Sequence, residues 1–304
     1  MASTNDIYRE TTDKIIAQLE KGVAPWRKPW NCGAPRMPQN VVSKRAYNGV
    51  NVWLLWLASE HHGWTSGLFA TYRQWQELGG FVRRGETGTK ITYWNIQKKT
   101  DKDKTPDDDE AKKRFFLRQY TVFALDQCGG DDLDRFRTPT PVGDFANFAP
   151  AEDAIAATCA SIKFGGNRAY YSPSRDHIQL PIKSSFKDQA AYYSTALHEL
   201  SHWTGHEGRL NRLDKLARFG TQSYAMEELV AEMSAAFLTS ALGVPNTAAL
   251  TNAAAYIADW LDVLRHDSRA VFTASTAATK AADFILAFSG KGGSPIEEEE
   301  LQEA

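Results

Sequence analysis

Paired cysteines, a long apolar run and a strong net charge are all missing from this 304-residue sequence. The three cysteines, Cys32, Cys128 and Cys159, are odd in number and lack the close spacing of a thiolate metal site. That excludes a disulfide framework and predicts a reducing, cytoplasmic setting. No stretch approaches the roughly 18 apolar residues of a membrane helix, and the opening MASTNDIYRETTDK has no signal-peptide core. A soluble chain with no membrane partner is expected.

The near-zero formal net charge of −2 hides a polarity along the chain. Residues 1–100 hold 14 Lys and Arg against 7 Asp and Glu, whereas residues 126–304 hold 15 against 24. Seven of the nine tryptophans, at 26, 30, 53, 56, 64, 75 and 94, fall in the same basic first hundred residues. Single-stranded nucleic acid offers unstacked bases to aromatic rings and phosphates to cations, so this pairing predicts a single-stranded-DNA partner. Trp26, Arg27, Lys28, Trp30, Lys44, Arg45, Tyr47, Arg83, Arg84 and Lys90 form the candidate contact set. About half of the seven tryptophans are expected in the core, Trp53 and Trp56 first, because they sit in an apolar run. No helix-turn-helix or zinc-finger pattern points to duplex DNA instead.

Periodicity predicts an α+β fold of two domains. The first, residues 1–128, combines helices near 7–21, 50–59 and 72–78 with a hairpin over 81–94 and a strand at 119–125. Its segment 99–114 is charged and almost without apolar residues, so it reads as a disordered loop. A Gly-, Asp-, Pro- and Thr-rich stretch, 129–150, reads as a linker. The second domain, 151–290, is mainly helical with a small sheet, having extended segments at 169–172 and 177–180 and long helices at about 187–205, 222–242, 247–266 and 275–288. The acidic tail 291–304 reads as disordered.

The strongest chemical signal lies in that second domain, at His198-Glu199-Leu200-Ser201-His202. On a helix the two histidines, four apart, share a face and can hold one divalent ion, Zn2+ or another such as Mn2+. Glu199 projects beside that ion, where a carboxylate can act as general base. A catalytic zinc takes three protein ligands, so a third is needed. In YAMEELVAEMSAAFL, Glu228 and Glu232 lie four apart, which resembles the gluzincin arrangement, and that resemblance favours Glu228 as the ligand with Glu232 behind a ligand histidine. Glu232 or Glu227 as ligand comes next, and His206 last, because metzincin sites place their third histidine six residues after the second rather than four. A plain solvated glutamate face stays open as well. Tyr224, one turn before Glu228, is the candidate for stabilising an oxyanion. DHIQLP at 176–181 is the candidate edge strand for aligning a peptide.

Longer stretches carry a resemblance. APWRKPW, KRAYNGVN, TYRQWQELGGFVRRGETG and YTVFALDQ, followed by GGNRAYYSPSRDHIQLP, YYSTALHELSHWTGHEGRLNR and YAMEELVAEMSAAFL, resemble the ArdC-type antirestriction proteins of conjugative plasmids. The first four look like the single-stranded-DNA-binding module that also precedes TraC-like primases, and the last three like a zincin-like metallopeptidase domain. The resemblance implies protection of incoming plasmid DNA and gives the metal roles to His198, Glu199 and His202. It implies a metallopeptidase acting on a host protein. The alternative is a DNA-binding shield whose metal site is structural or vestigial. A metal-dependent nuclease fits less well, since paired carboxylates are lacking.

Overall fold

The computed structural model describes residues 4–21, 37–97, 114–137, 148–186, 188–213, 222–244 and 253–290. The first domain opens with α1 (Thr4–Leu19) and a short β1 (Gln39–Asn40), then α2 (Val50–His62), β2 (Leu68–Ala70) and α3 (Tyr72–Glu77). β3 (Phe81–Val82), β4 (Thr89–Gln97), β5 (Arg114–Ala124) and β6 (Cys128–Gly129) complete it. Two helix termini carry recognisable sequence signals. Thr71 and Gln74 close a reciprocal capping box at the start of α3, and Gly63 takes the left-handed conformation that stops α2.

The expected hairpin over 81–94 is not present. β4 pairs instead with β5 over nine residues, from Thr89 opposite Val122 to Gln97 opposite Arg114, inside a sheet ordered β1-β2-β5-β4. β3 pairs with β6 in a separate two-stranded ribbon. Length explains the outcome, since two residues of β3 compete poorly with an eleven-residue partner of matching alternation. The charged loop joining β4 to β5 lies outside the described residues, as does the acidic tail.

Residues 129–137, expected to begin a linker, pack on the first domain. A 3-10 turn at Asp131–Phe136 drives Leu133 into a small core with Val41, Trp75, Leu125 and Cys128. Gly80 makes room for it, because a Cβ there would sit 2.5 Å from Leu133 Cδ1. The Gly- and Asp-rich sequence concealed this turn because a single buried leucine leaves no periodicity.

The second domain begins with α4 (Ala149–Ala157), then β7 (Ile162–Phe164), β8 (Tyr170–Ser172) and β9 (His177–Leu180), followed by α5 (Gln189–Thr204), α6 (Gln222–Leu242), α7 (Ala253–His266) and α8 (Ala270–Phe288). Asp188 caps α5 by accepting from the Ala191 amide at 2.7 Å. The three strands are ordered β7-β9-β8. β9, expected at the edge, is therefore central, and β8 is the edge strand that packs against α5.

The two domains share one continuous core. Trp53 of α2 stacks on Phe237 of α6 with ring centroids 4.7 Å apart, and its indole N–H donates to Ser275 Oγ at 3.0 Å. Tyr8 meets Phe272 edge-on at 4.7 Å, and the Thr12 hydroxyl donates to the Ser268 carbonyl at 2.7 Å. Such aromatic contacts hold the domains together through burial of large apolar surfaces.

Candidate metal centre

α5 and α6 run side by side, and each supplies half of a buried polar cluster. His198 and His202, one turn apart, point the same way, with their Nε2 atoms 3.2 Å apart. Glu228 of α6 faces both, its Oε2 3.6 Å from His198 Nε2 and its Oε1 3.6 Å from His202 Nε2. Among the described residues these three form the group whose donor atoms lie within 4.8 Å of one another. Donors on a tetrahedral ion with bonds near 2.1 Å stand about 3.4 Å apart, so the donor set fits a divalent ion, the described residues supplying three of its positions.

Each imidazole is backed by a second carboxylate on its far nitrogen. Glu232 Oε1 lies 3.5 Å from His198 Nδ1, an electrostatic contact rather than a hydrogen bond. Glu227 Oε1 lies 3.1 Å from His202 Nδ1. Glu227 is in turn clamped by Arg212, whose Nε and Nη2 donate at 2.7 and 2.9 Å. The same guanidinium donates to the Ser201 carbonyl at 2.8 Å and to Thr204 Oγ1 at 3.2 Å, tying the loop after α5 to the helix. Orienting partners of this kind fix the ring and raise the basicity of the ligand nitrogen.

Charge inside the cluster is tightly coupled. Burial opposes protonation of His198, but Glu228, Glu232 and Glu199 outweigh it and push its pKa up to about 9. Burial likewise opposes protonation of His202, and Glu228 and Glu227 reverse it. Burial alone would raise Glu228, yet the two imidazoles draw its carboxyl down to about 2. Protons and a metal ion compete for these donors. Glu199 differs: it is buried, and burial raises its carboxyl above the ordinary value against the pull of both histidines. A backbone hydrogen bond from Tyr171 of β8 holds it.

The structure thus brings together His198, Glu199, His202, Glu228 and Glu232, five of the residues singled out by sequence. Tyr224 hydrogen-bonds Glu228, which places its hydroxyl at the cluster. His206 stands apart, its Nδ1 accepting from the Gly208 amide. Glu227, weighed as a ligand, sits behind His202 instead. Adjacent glutamates on a helix point about 100° apart, so Glu227 and Glu228 can address different atoms. Sequence reasoning missed Arg212, which lies in an irregular loop without a spacing signal. It also missed the Tyr171 amide, because a backbone donor leaves no trace in residue identity.

The DNA-binding candidates divide. Trp26, Arg27, Lys28 and Trp30 lie outside the described residues. Lys44, Arg84 and Lys90 are exposed and Arg45 is half-buried. Arg83 is half-exposed but tied to the carbonyls of Asp126 and Cys128 and to Glu86. Tyr47 must be removed from the set: it is 1% exposed and packs edge-on against Phe69. Trp53, Trp56 and Trp75 are likewise core residues, and Trp64 is partly buried. Aromatic rings not anticipated from sequence are exposed instead, Tyr72 and Phe81 at 50% and 56%. Phe136 lies under Arg135, at 4.8 Å, and Lys44, at 5.4 Å.

A two-histidine, one-glutamate cluster on paired helices beside a small sheet defines a zincin-like metallopeptidase fold, and residues 149–277 match the family model described as a zincin-like metallopeptidase. Residues 5–123 match the model for the N-terminal domain of the anti-restriction factor ArdC. The chain belongs to the family of ArdC-type antirestriction proteins. It is 40% identical over 292 residues to an uncharacterized protein, y4eC, of Sinorhizobium fredii, covering 93% of this chain and 92% of that protein. It is 36% identical to a DNA primase TraC of Escherichia coli, covering 98% of this chain but spanning only 28% of the primase. The crystal structure of the antirestriction ArdC protein from plasmid R388 in metal-free form superposes with a TM-score of 0.79, at 36% identity over 95% of this chain and all of that one. Its Mn(II)-bound form gives 0.74, at 36% identity over 93% of this chain and 98% of that one. The fold implies a divalent metal ion. Among the described residues no helix is long and apolar enough to cross a membrane.

Proposed function

We propose that the protein protects plasmid DNA from restriction during conjugation by holding single-stranded DNA on its first domain and cleaving a peptide bond of a host protein at its second. The observation that carries the chemistry is Glu199, buried and raised in pKa beside a cluster of three metal donors. A divalent ion held by His198, His202 and Glu228, zinc or manganese, would supply Lewis acidity, acidifying water and polarising a carbonyl.

The chain's own residues do the rest. The Tyr171 amide holds the Glu199 carboxylate, which accepts a proton from the attacking water and delivers it to the departing amine. Glu227 and Glu232 keep the imidazoles turned towards the ion, and Arg212 keeps Glu227 in place. Tyr224 is positioned to move its hydroxyl from Glu228 to a developing oxyanion. β8, the edge strand of the small sheet beside Glu199, is the strand along which an extended peptide would add. On the first domain, exposed Lys44, Arg84 and Lys90 meet phosphates while exposed rings stack on bases.

The deciding experiment compares wild type and Glu199→Gln in conjugative transfer into a restricting host, with metal content and single-strand affinity measured on both purified proteins. Loss of protection with metal and DNA binding intact supports hydrolysis. Full protection by Glu199→Gln would sink the peptidase reading and leave a DNA-binding shield with a structural or vestigial metal.

A further inference from the structure

A cleft opens at the far end of the helix that carries the histidines. It has a volume of about 650 Å³ and lies between the starts of α4 and α5 and the turn after β9. Such a volume is in the range of small-ligand clefts. Its walls are aromatic: Phe148 meets Tyr193 at 5.5 Å, and Phe186 meets Tyr192 at 5.4 Å, each edge to face. Among the described residues its charged groups are Glu152, Asp153 and Asp188 against one cation, Lys183. Aromatic faces with an excess of carboxylates form a host for an organic cation.

The molecule already displays that mode of binding. Lys183 Nζ stands 4.9 Å from the centre of the Tyr192 ring and 5.6 Å from that of Tyr193. It donates to both Glu152 oxygens at 3.0 and 2.9 Å, while the Tyr193 hydroxyl donates to Glu152 at 2.7 Å. Lys183 itself is about half exposed, as is Glu152, so this ion pair contributes little to stability and its release is cheap. Two tyrosines and a glutamate are thus arranged around an ammonium that arrives on a lysine stem.

We propose that this cleft captures a lysine or arginine side chain of a partner polypeptide, with Lys183 as a displaceable occupant from the chain itself. A side chain on a peptide is favoured over a free amine because the occupant seen here is a lysine, its stem entering from the rim. Tyr192 precedes Glu199 by seven residues, two helical turns or roughly 10 Å of rise, so the cleft is separate from the metal cluster.

The test is a titration of the full chain, followed by amide NMR shifts, with acetyl-Ala-Lys-Ala-amide, its norleucine counterpart and free butylamine. The lysine peptide is expected to shift Tyr192, Tyr193 and Glu152 saturably, and the norleucine peptide to leave them in place. Lys183→Ala should tighten lysine-peptide binding about fivefold by removing the competitor, and Glu152→Gln should weaken it about tenfold, near the scale of one charge-assisted contact. Because Lys183→Ala is a gain of binding at an exposed position, misfolding cannot imitate it. Equal binding of the norleucine peptide, or no gain in Lys183→Ala, overturns the proposal. Butylamine binding as tightly as the peptide overturns its assignment to a polypeptide.

Discussion

The two domains handle charge in opposite ways. In the second, His198, Glu199, Glu228 and Glu232 are each under 10% exposed and every one faces another ionisable group. In the first, Lys44, Arg84 and Lys90 are exposed to solvent. Buried charges interact strongly and depend on their partners, so one change disturbs the whole cluster. Exposed charges interact weakly through water, so each acts nearly alone and salt screens it. Large, specific, salt-insensitive effects are therefore expected at the metal centre, and small, additive, salt-sensitive ones on the DNA face.

The largest effect is expected at Glu199. Glu199→Gln removes the proton acceptor but none of the three donors, and should lower hydrolysis of a peptide substrate by ~10²–10⁴-fold. Metal content, read by elemental analysis, should stay at the wild-type level. A variant that loses its metal would show that Glu199 belongs to the donor set. Next comes Glu228→Ala, which leaves two imidazoles and should abolish stoichiometric metal binding in calorimetry. Retention of one tightly held ion would instead move the third donor to Glu227 or Glu232.

Smaller again is the effect of the residues behind the histidines. Glu227→Gln and Arg212→Ala each disturb the alignment of His202 and should weaken metal binding by roughly 10–100-fold. The two should not add in the double variant, since Arg212 acts on His202 through Glu227. Additivity would cut that chain and make Arg212 a purely structural clamp.

The same contrast explains what could be read from sequence. The metal helix was legible because spacing on a helix fixes which side chains share a face, and α6 matched its expected bounds of 222–242 for the same reason. Glu228 could be ranked above His206 by comparing their spacings with those of metzincin and gluzincin sites. Arg212 and the Tyr171 amide could not be found, because they reach the site through a loop and a strand edge whose paths are set by tertiary packing. The first domain was less legible. Tyr47 sits among Lys44, Arg45 and polar neighbours in the chain, yet the fold turns its ring inward against Phe69. β3 and β4 looked like one hairpin because alternation records a strand but not its partner. Leu133, one apolar residue in a run of aspartates and glycines, gave no pattern to detect.

The smallest predicted effects test the first domain. Lys44→Ala, Arg84→Ala and Lys90→Ala should each weaken binding of a labelled single strand only a few-fold in fluorescence anisotropy. Each should also flatten the slope of log affinity against log salt by about 0.7, the contribution of one phosphate contact on a single strand. Their losses should add in the triple variant, because the three side chains are exposed and share no partner among the described residues. Tyr47→Phe provides the contrast: the residue is in the core, so the substitution should leave both affinity and slope unchanged. If Tyr47→Phe weakened binding as much as Arg84→Ala, the surface inferred here would be the wrong one. If the three cations behaved as a cooperative unit, insensitive to salt, the first domain would be using buried charge after all, and the two halves of the protein would recognise their partners by the same physics.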